Sequence, residues 1–287
     1  MKKIIVTIII IFVVITAMFA QLTTNDSSIL VSKKGIPILP QKGDFAIGTN
    51  ASPFLSYLGN IFNNTTDNEF RFNNEIRVVG RYFVSDNTAI RIILAMDNSR
   101  SITRSYVRDD ANYLTDPRAL TEDSYKLINT SNLFDIALQK FRGYGRLRGF
   151  YGISLGFGIS RTRRVFNYGN PMTDVNTQPS TTNFGVGNIS WPMRMLESDD
   201  GVNKYIMAGL IGGVDYYFLP KICMGFEISL SAAYSWKSQS DSKYEQFNGA
   251  QVEIINVPTR PKGHRYSSLK TNYAELFYNS LYIMFNF

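Results

Sequence analysis

The sequence predicts an all-β fold: a single closed antiparallel transmembrane β-barrel of eight strands, with ten as the alternative count. The first observation behind this is the stretch Ile222 to Trp236. There Ile222, Met224, Phe226, Ile228, Leu230, Ala232, Tyr234 and Trp236 alternate with Cys223, Gly225, Glu227, Ser229, Ser231, Ala233 and Ser235. A period of two puts successive side chains on opposite faces of a strand, and the run exceeds the soluble norm of about five or six residues. Tyr234 and Trp236 end its apolar side, where an aromatic girdle would meet a membrane–water boundary. The second observation is the rhythm of the connections, which run long, short, long, short, long, short, long. The third is composition. With 44% hydrophobic residues and a mean hydropathy of −0.11, the chain is too polar for a bundle of membrane helices but suits strands with one apolar side.

The elements follow in chain order. Residues 1–20 read as a secretory signal peptide: Lys2 and Lys3, then an apolar run from Ile4 to Ile15 broken by Thr7, then Ala17-Met18-Phe19-Ala20. Residues 21–42, with Lys33, Lys34, Pro37 and Pro40 and no sustained period, are expected to be a periplasmic tail. Residues 43–287 form the barrel. Strands are expected at about 44–51, 75–84, 89–97, 134–139, 150–160, 205–217 and 222–236, with the last ending at Phe287. Ser85-Asp86-Asn87, Arg142-Gly143-Tyr144-Gly145 and Leu219-Pro220-Lys221 are the short periplasmic turns. Four long extracellular loops are expected at 59–74, 98–131, 161–203 and 237–270. The single cysteine, Cys223, excludes an internal disulfide framework and sits where a small buried residue is expected.

Two stretches carry a resemblance. Gly43-Asp44-Phe45-Ala46-Ile47-Gly48 through Ser52-Pro53-Phe54, and Gly213-Val214-Asp215-Tyr216-Tyr217-Phe218-Leu219-Pro220-Lys221, resemble small outer-membrane barrel proteins of the OmpA/OmpX/OmpW-like kind, as in Bacteroidota. The end of the chain, Leu281, Ile283, Phe285 and the terminal Phe287, looks like the C-terminal signal read by the barrel-assembly machinery. The resemblance implies fold and an outer-membrane location. It implies little about function, because such families include adhesins, enzymes, pores and complex subunits.

The strand register places Arg77, Arg81, Arg91, Asp97, Asp135, Asp215 and Glu227 in the lumen. An eight-stranded barrel is just wide enough for side chains to fill. Buried charges must be paired or they cost several kcal/mol, so mixed signs favour a salt-bridged plug over a pore. The inward glycines and serines of 150–160 leave room for long arginines from across the barrel.

Other chemistry is weakly signalled. His264, the only histidine, falls in the last loop, and general-base work needs a positioned partner. One histidine and one cysteine make no transition-metal site. Asp109, Asp110, Asp199 and Asp200 lack a calcium-loop spacing, and Gly209, Gly212 and Gly213 lie inside a strand pattern rather than a phosphate loop. No cofactor is expected. The net charge is +7, and Lys237, Lys243, Arg260, Lys262, Arg265 and Lys270 gather near the last loop. Anionic lipopolysaccharide is the expected counter-charge there, not nucleic acid.

The reading is therefore a non-enzymatic outer-membrane barrel acting through its loops, as a surface-binding protein or a subunit of an envelope complex. Its partners would be outer-membrane lipid, the assembly machinery, and other outer-membrane or periplasmic proteins. A small porin-like channel is the alternative, and an outer-membrane enzyme acting on lipid A or peptides the third.

Overall fold

The computed structural model describes residues 30–51, 75–143, 145–261, 263–271 and 281–287. These form an all-β antiparallel sheet. Its strands are β1 (Phe45–Asn50), β2 (Glu75–Ser85), β3 (Thr88–Arg108), β4 (Leu120–Arg142), β5 (Leu147–Asn167), β6 (Ile189–Ser190), β7 (Met193–Leu219), β8 (Ile222–Lys237), β9 (Ser240–Phe247), β10 (Val252–Arg260), β11 (His264–Thr271) and β12 (Leu281–Asn286). Neighbours pair in the order β7-β5-β4-β3-β2-β1-β12-β8, and β8 pairs back onto β7. Eight of the described strands thus close a ring. The last strand meets the first with Ile47 opposite Phe285.

The period-two pattern has a direct structural outcome in the ring. On β3, Arg91, Ile93 and Ala95 are buried while Ile92, Leu94 and Met96 are exposed. On β8, Cys223 and Glu227 point inward while Ile228 and Leu230 point out. Inside, near the short-connection end, Phe83, Phe141, Phe150, Tyr217, Tyr282 and Met284 pack as a core.

Several expectations are corrected. The stretches 98–131 and 237–270, read from sequence as long loops, are largely strand, and 161–203 carries strand at both of its ends. β3 and β4 stay paired from Asp97 opposite Ser131 up to Arg108 opposite Leu120, so β4 begins well before Phe134. β5 and β7 continue to Val165 opposite Glu197, across a bulge at Arg161/Arg163. β9 extends the line of β8 along β7, β10 pairs β9, and β11 pairs the upper half of β8. Both faces of these extensions carry polar residues, so the apolar alternation that marks a half-buried strand is absent. The stretches read as a loop at 59–74 and as a signal peptide at 1–20 lie outside the described residues.

Residues 30–42, read as a tail, pack against the ring. Ile38 is 2% exposed and belongs to the core. Its carbonyl accepts from the Lys221 N–H at 3.0 Å, and the Lys42 N–H donates to Asp86 at 2.8 Å. Lys221, in a left-handed turn conformation at φ 62°, also pairs with Asp44. The segment is held at the short-connection end because Ile38 joins the buried core there and Leu39 packs against it, which removes apolar surface from water.

Candidate functional site

Two ion-pair struts cross the inside of the ring. β2 and β7 stand four places apart in the ring of eight, as do β3 and β8, so each couple faces across the full width. Arg81 on β2 reaches Asp215 on β7 at 2.6 Å, with both side chains fully buried. Arg91 on β3 pairs with Glu227 on β8, and also with Asp135 on neighbouring β4 at 2.5 Å. The two arginines are direct partners across the β2–β3 hairpin, which explains why both struts lie near the same end.

Neutral groups complete each strut. Tyr282 donates its hydroxyl to Asp215 at 2.6 Å and lies 3.2 Å from an Arg81 nitrogen. Arg81 also lies over the rings of Phe141, Phe150 and Tyr282, at 5.0, 5.6 and 5.7 Å from their centroids. A cation held over aromatic faces recovers part of its lost hydration. Gln139 donates to Glu227 at 3.3 Å. Gly225 makes the first strut possible: a side-chain carbon there would collide with the Tyr282 ring and the Asp215 carboxylate. Arg148, opposite Asp215 in register, turns to the short-connection end and donates to the Asp86 carbonyl at 3.1 Å and to Asn87.

Of the seven charged residues expected inside, the structure joins Arg81, Arg91, Asp135, Asp215 and Glu227. Arg77 is half-buried on β2 and is not free of partners. Asp97, next in height, keeps one buried carboxylate oxygen without a hydrogen-bond partner. Sequence reasoning missed Tyr282, Gln139 and Arg148. Tyr282 and Gln139 carry no charge, and only their alternate position marked them as inward. Leu281, Ile283, Phe285 and Phe287 lie at the closing seam. There the Phe287 N–H donates to the Phe45 carbonyl at 2.7 Å, and the Phe45 N–H donates back at 3.2 Å.

The opposite end is a built surface. Residues 168–192 are tied down by two carboxylates. Asp123 accepts from the Gly169 N–H at 2.9 Å, the Thr181 hydroxyl at 2.6 Å and the Thr182 N–H at 2.7 Å. Asp110 accepts from the Ser180 N–H at 2.6 Å and from Asn176 at 2.9 Å. Burial works against its ionisation, but these bonds and Arg108 hold the Asp110 carboxyl down at about 2. Tyr125, Phe166, Tyr168 and Phe184 pack ring on ring. Burial pushes the Tyr168 hydroxyl up to about 12. Arg194 lies over Tyr168 at 4.3 Å and pairs with Glu245 at 2.5 Å.

The remaining candidates are dispersed. Asp109 is taken up by Asn112, Asp199 by Arg161 and Asp200 by Arg164. Gly209, Gly212 and Gly213 are mid-strand on β7. His264, opposite Lys237, opens β11, which also carries Arg265 and Lys270. Lys243 and Arg260 stand on β9 and β10, and Lys262 lies outside the described residues.

No protein-family description and no curated relative matches the chain. Among solved structures it is similar to the outer membrane protein OprG from Pseudomonas aeruginosa, with TM-score 0.30 and 10% identity over 87% of this chain and 98% of that one. It is also similar to a major outer membrane protein from Thermus thermophilus, with TM-score 0.36 and 9% identity over 85% of this chain and 99% of that one. At TM-scores this low, neither likeness bears on what the chain does.

Proposed function

We propose that the chain is a non-enzymatic outer-membrane β-barrel whose extended, structured end binds partners at the cell surface or joins a larger envelope complex. One observation carries this reading: the ring is inside out relative to a water-soluble protein. Every strand of it exposes apolar side chains, among them Ile47, Val78, Leu94, Ile136, Leu155, Leu210, Ile228 and Phe285, while arginines and carboxylates are buried within. Contiguous apolar surface beyond a few hundred Å² marks an interaction or membrane face. A closed ring also leaves no unpaired edge, which a lipid-spanning sheet requires.

The belt ends on a row that runs in register through Met96, Asn132, Ile159, Lys204 and Trp236. Beyond it the strands project with polar residues on both faces, as the outer end of such a barrel does. The short connections and residues 30–42 then face the periplasm. The struts and the seat of Ile38 both oppose conduction, which supports binding over transport.

The test is electrical. Refolded into planar bilayers, the protein should show little steady conductance. Replacing Arg81 and Arg91 together with Ser should loosen the lumen and raise it. Large, stable single-channel currents from the unmodified chain would put transport first.

A further inference from the structure

Above the apolar belt, one side of the outward face turns basic. On β4 the outward series Phe134, Asn132, Thr130, Ile128, Lys126 climbs away from the belt. Ile128 has Arg100 beside it on β3 and Arg163 beside it on β5. Lys126 follows two residues along the same strand, and Arg161 is the partner of Thr130, one step diagonally below. With strands about 4.8 Å apart and same-face residues about 6.6 Å apart, the four Cα atoms lie within roughly 15 Å.

Two of these cations are answered by acids from β7: Arg161 pairs with Asp199, and Arg163 with Glu197 at 2.7 Å. Arg100 and Lys126 have no ion pair among the described residues. Like charges gathered on one face repel through space, so the cluster gains by taking up an anion from outside.

The position of the cluster defines that anion. Its lower edge is continuous with exposed Phe134 and Phe157 and with Ile159, two residues below Arg161. From Arg161 the basic rows rise about 13 Å along the strands to Lys126 and its partner Val165. A single phosphate at the belt edge would meet Arg161 and leave the upper cations unused. A head group carrying two phosphates on a sugar scaffold, with acyl chains below, spans the whole height. We infer that the outward face of β3, β4 and β5 holds the phosphorylated head of an outer-leaflet glycolipid of the lipid A type. Arg100 and Lys126 grip phosphate, and the acyl chains lie on Phe134, Phe157 and Ile159. Guanidinium matches phosphate in a two-pronged contact.

This inference rests on the bilayer reading above, and its test separates the two. Wild-type chain and the R100S/K126S variant are refolded into phosphatidylcholine vesicles containing lipid A, and insertion is scored by protease protection. Lipid retained after gentle detergent extraction is then counted by native mass spectrometry. Wild type should retain lipid A in preference to dephosphorylated lipid A and to phosphatidylglycerol. The variant breaks no ion pair and should insert equally. It should retain lipid A about twenty-fivefold less well, at about fivefold for each cation beside an anionic lipid. A K33S/K34S control removes the same charge from exposed positions at the other end and should behave as wild type. Equal retention by R100S/K126S, indifference to the phosphates, or preference for phosphatidylglycerol would overturn the lipid site alone. Failure of the wild-type chain to insert would overturn the bilayer reading and the site with it.

Discussion

Arg81 and Asp215 meet where neither side chain touches solvent, so the effect of a substitution is set by the charge it leaves behind. Arg81→Ser strands the Asp215 carboxylate and should cost about 3–5 kcal/mol, measured by urea unfolding from vesicles. Arg81→Lys should recover little, since an ammonium cannot serve Asp215 and Tyr282 in one plane while lying over three rings. A cost near zero for Arg81→Ser would remove the first strut as a structural element. Asp110 supplies a pH-dependent counterpart at the outer end. Its folded value of about 2 lies below the ordinary carboxylate value of about 3.9. The anchoring it gives residues 176–180 is therefore fully present above pH 4 and is lost as pH falls through about 2. Amide exchange in that segment should rise over this window in the native chain. In Asp110→Asn the rise should flatten, with exchange already high at pH 5. Charge together with position on a strand made the inward arginines and acids legible in the sequence. Which acid each arginine reaches was not, because partners on opposite strands are 134 and 136 residues apart in the chain.

At the scale of elements, the apolar alternation decides which face meets lipid in the proposed barrel. Leu155→Arg should cost about 2–4 kcal/mol near the bilayer midplane. Ser154→Arg, on the buried face of the same strand, should cost less in lipid transfer, with any penalty arising from crowding. Spin labels at the two positions check the register independently, since only the label at 155 should be quenched by a lipid-soluble reagent. The N-terminal segment gives a second case. Ile38 is buried in the core cluster that includes Phe83, Tyr217 and Met284, so Ile38→Ala should cost about 2–5 kcal/mol, and Ile38→Asp should release residues 30–42 to protease. Neither this segment nor the strand extensions was readable from periodicity. In β3 beyond Asp97, exposed Arg100, Ile102, Arg104 and Tyr106 back onto Ser99, Ser101 and Thr103, with water on both sides. Pairing with β4, not burial, makes that stretch a strand. Residues 30–42 have no period because the residues that pack, Leu30, Ile38, Leu39 and Pro40, follow neither strand nor helix spacing.

For the whole molecule, closure runs along the seam between β1 and β12, from Ala46 opposite Asn286 to Asn50 opposite Tyr282. Phe287 exchanges two backbone hydrogen bonds with Phe45, sealing the first strand against the last. Its ring is exposed beside them, 72% accessible, in the place proposed for recognition by the assembly machinery. Deleting Phe287 should lower the amount of protein reaching the outer membrane while export continues, measured by membrane fractionation. Unchanged assembly would sink the targeting role. That the chain is all-β, where the apolar-belt portions of the ring strands run, and which of their side chains face in or out could all be read from the order of residues. These features follow from a period of two, a local property of the backbone. Other features emerge only in the folded ring: Arg81 spans to Asp215 and Arg91 to Glu227, Ile38 joins the core at one end, and polar strands continue past the belt at the other. Each of those depends on ring closure, which brings together residues that no local pattern relates.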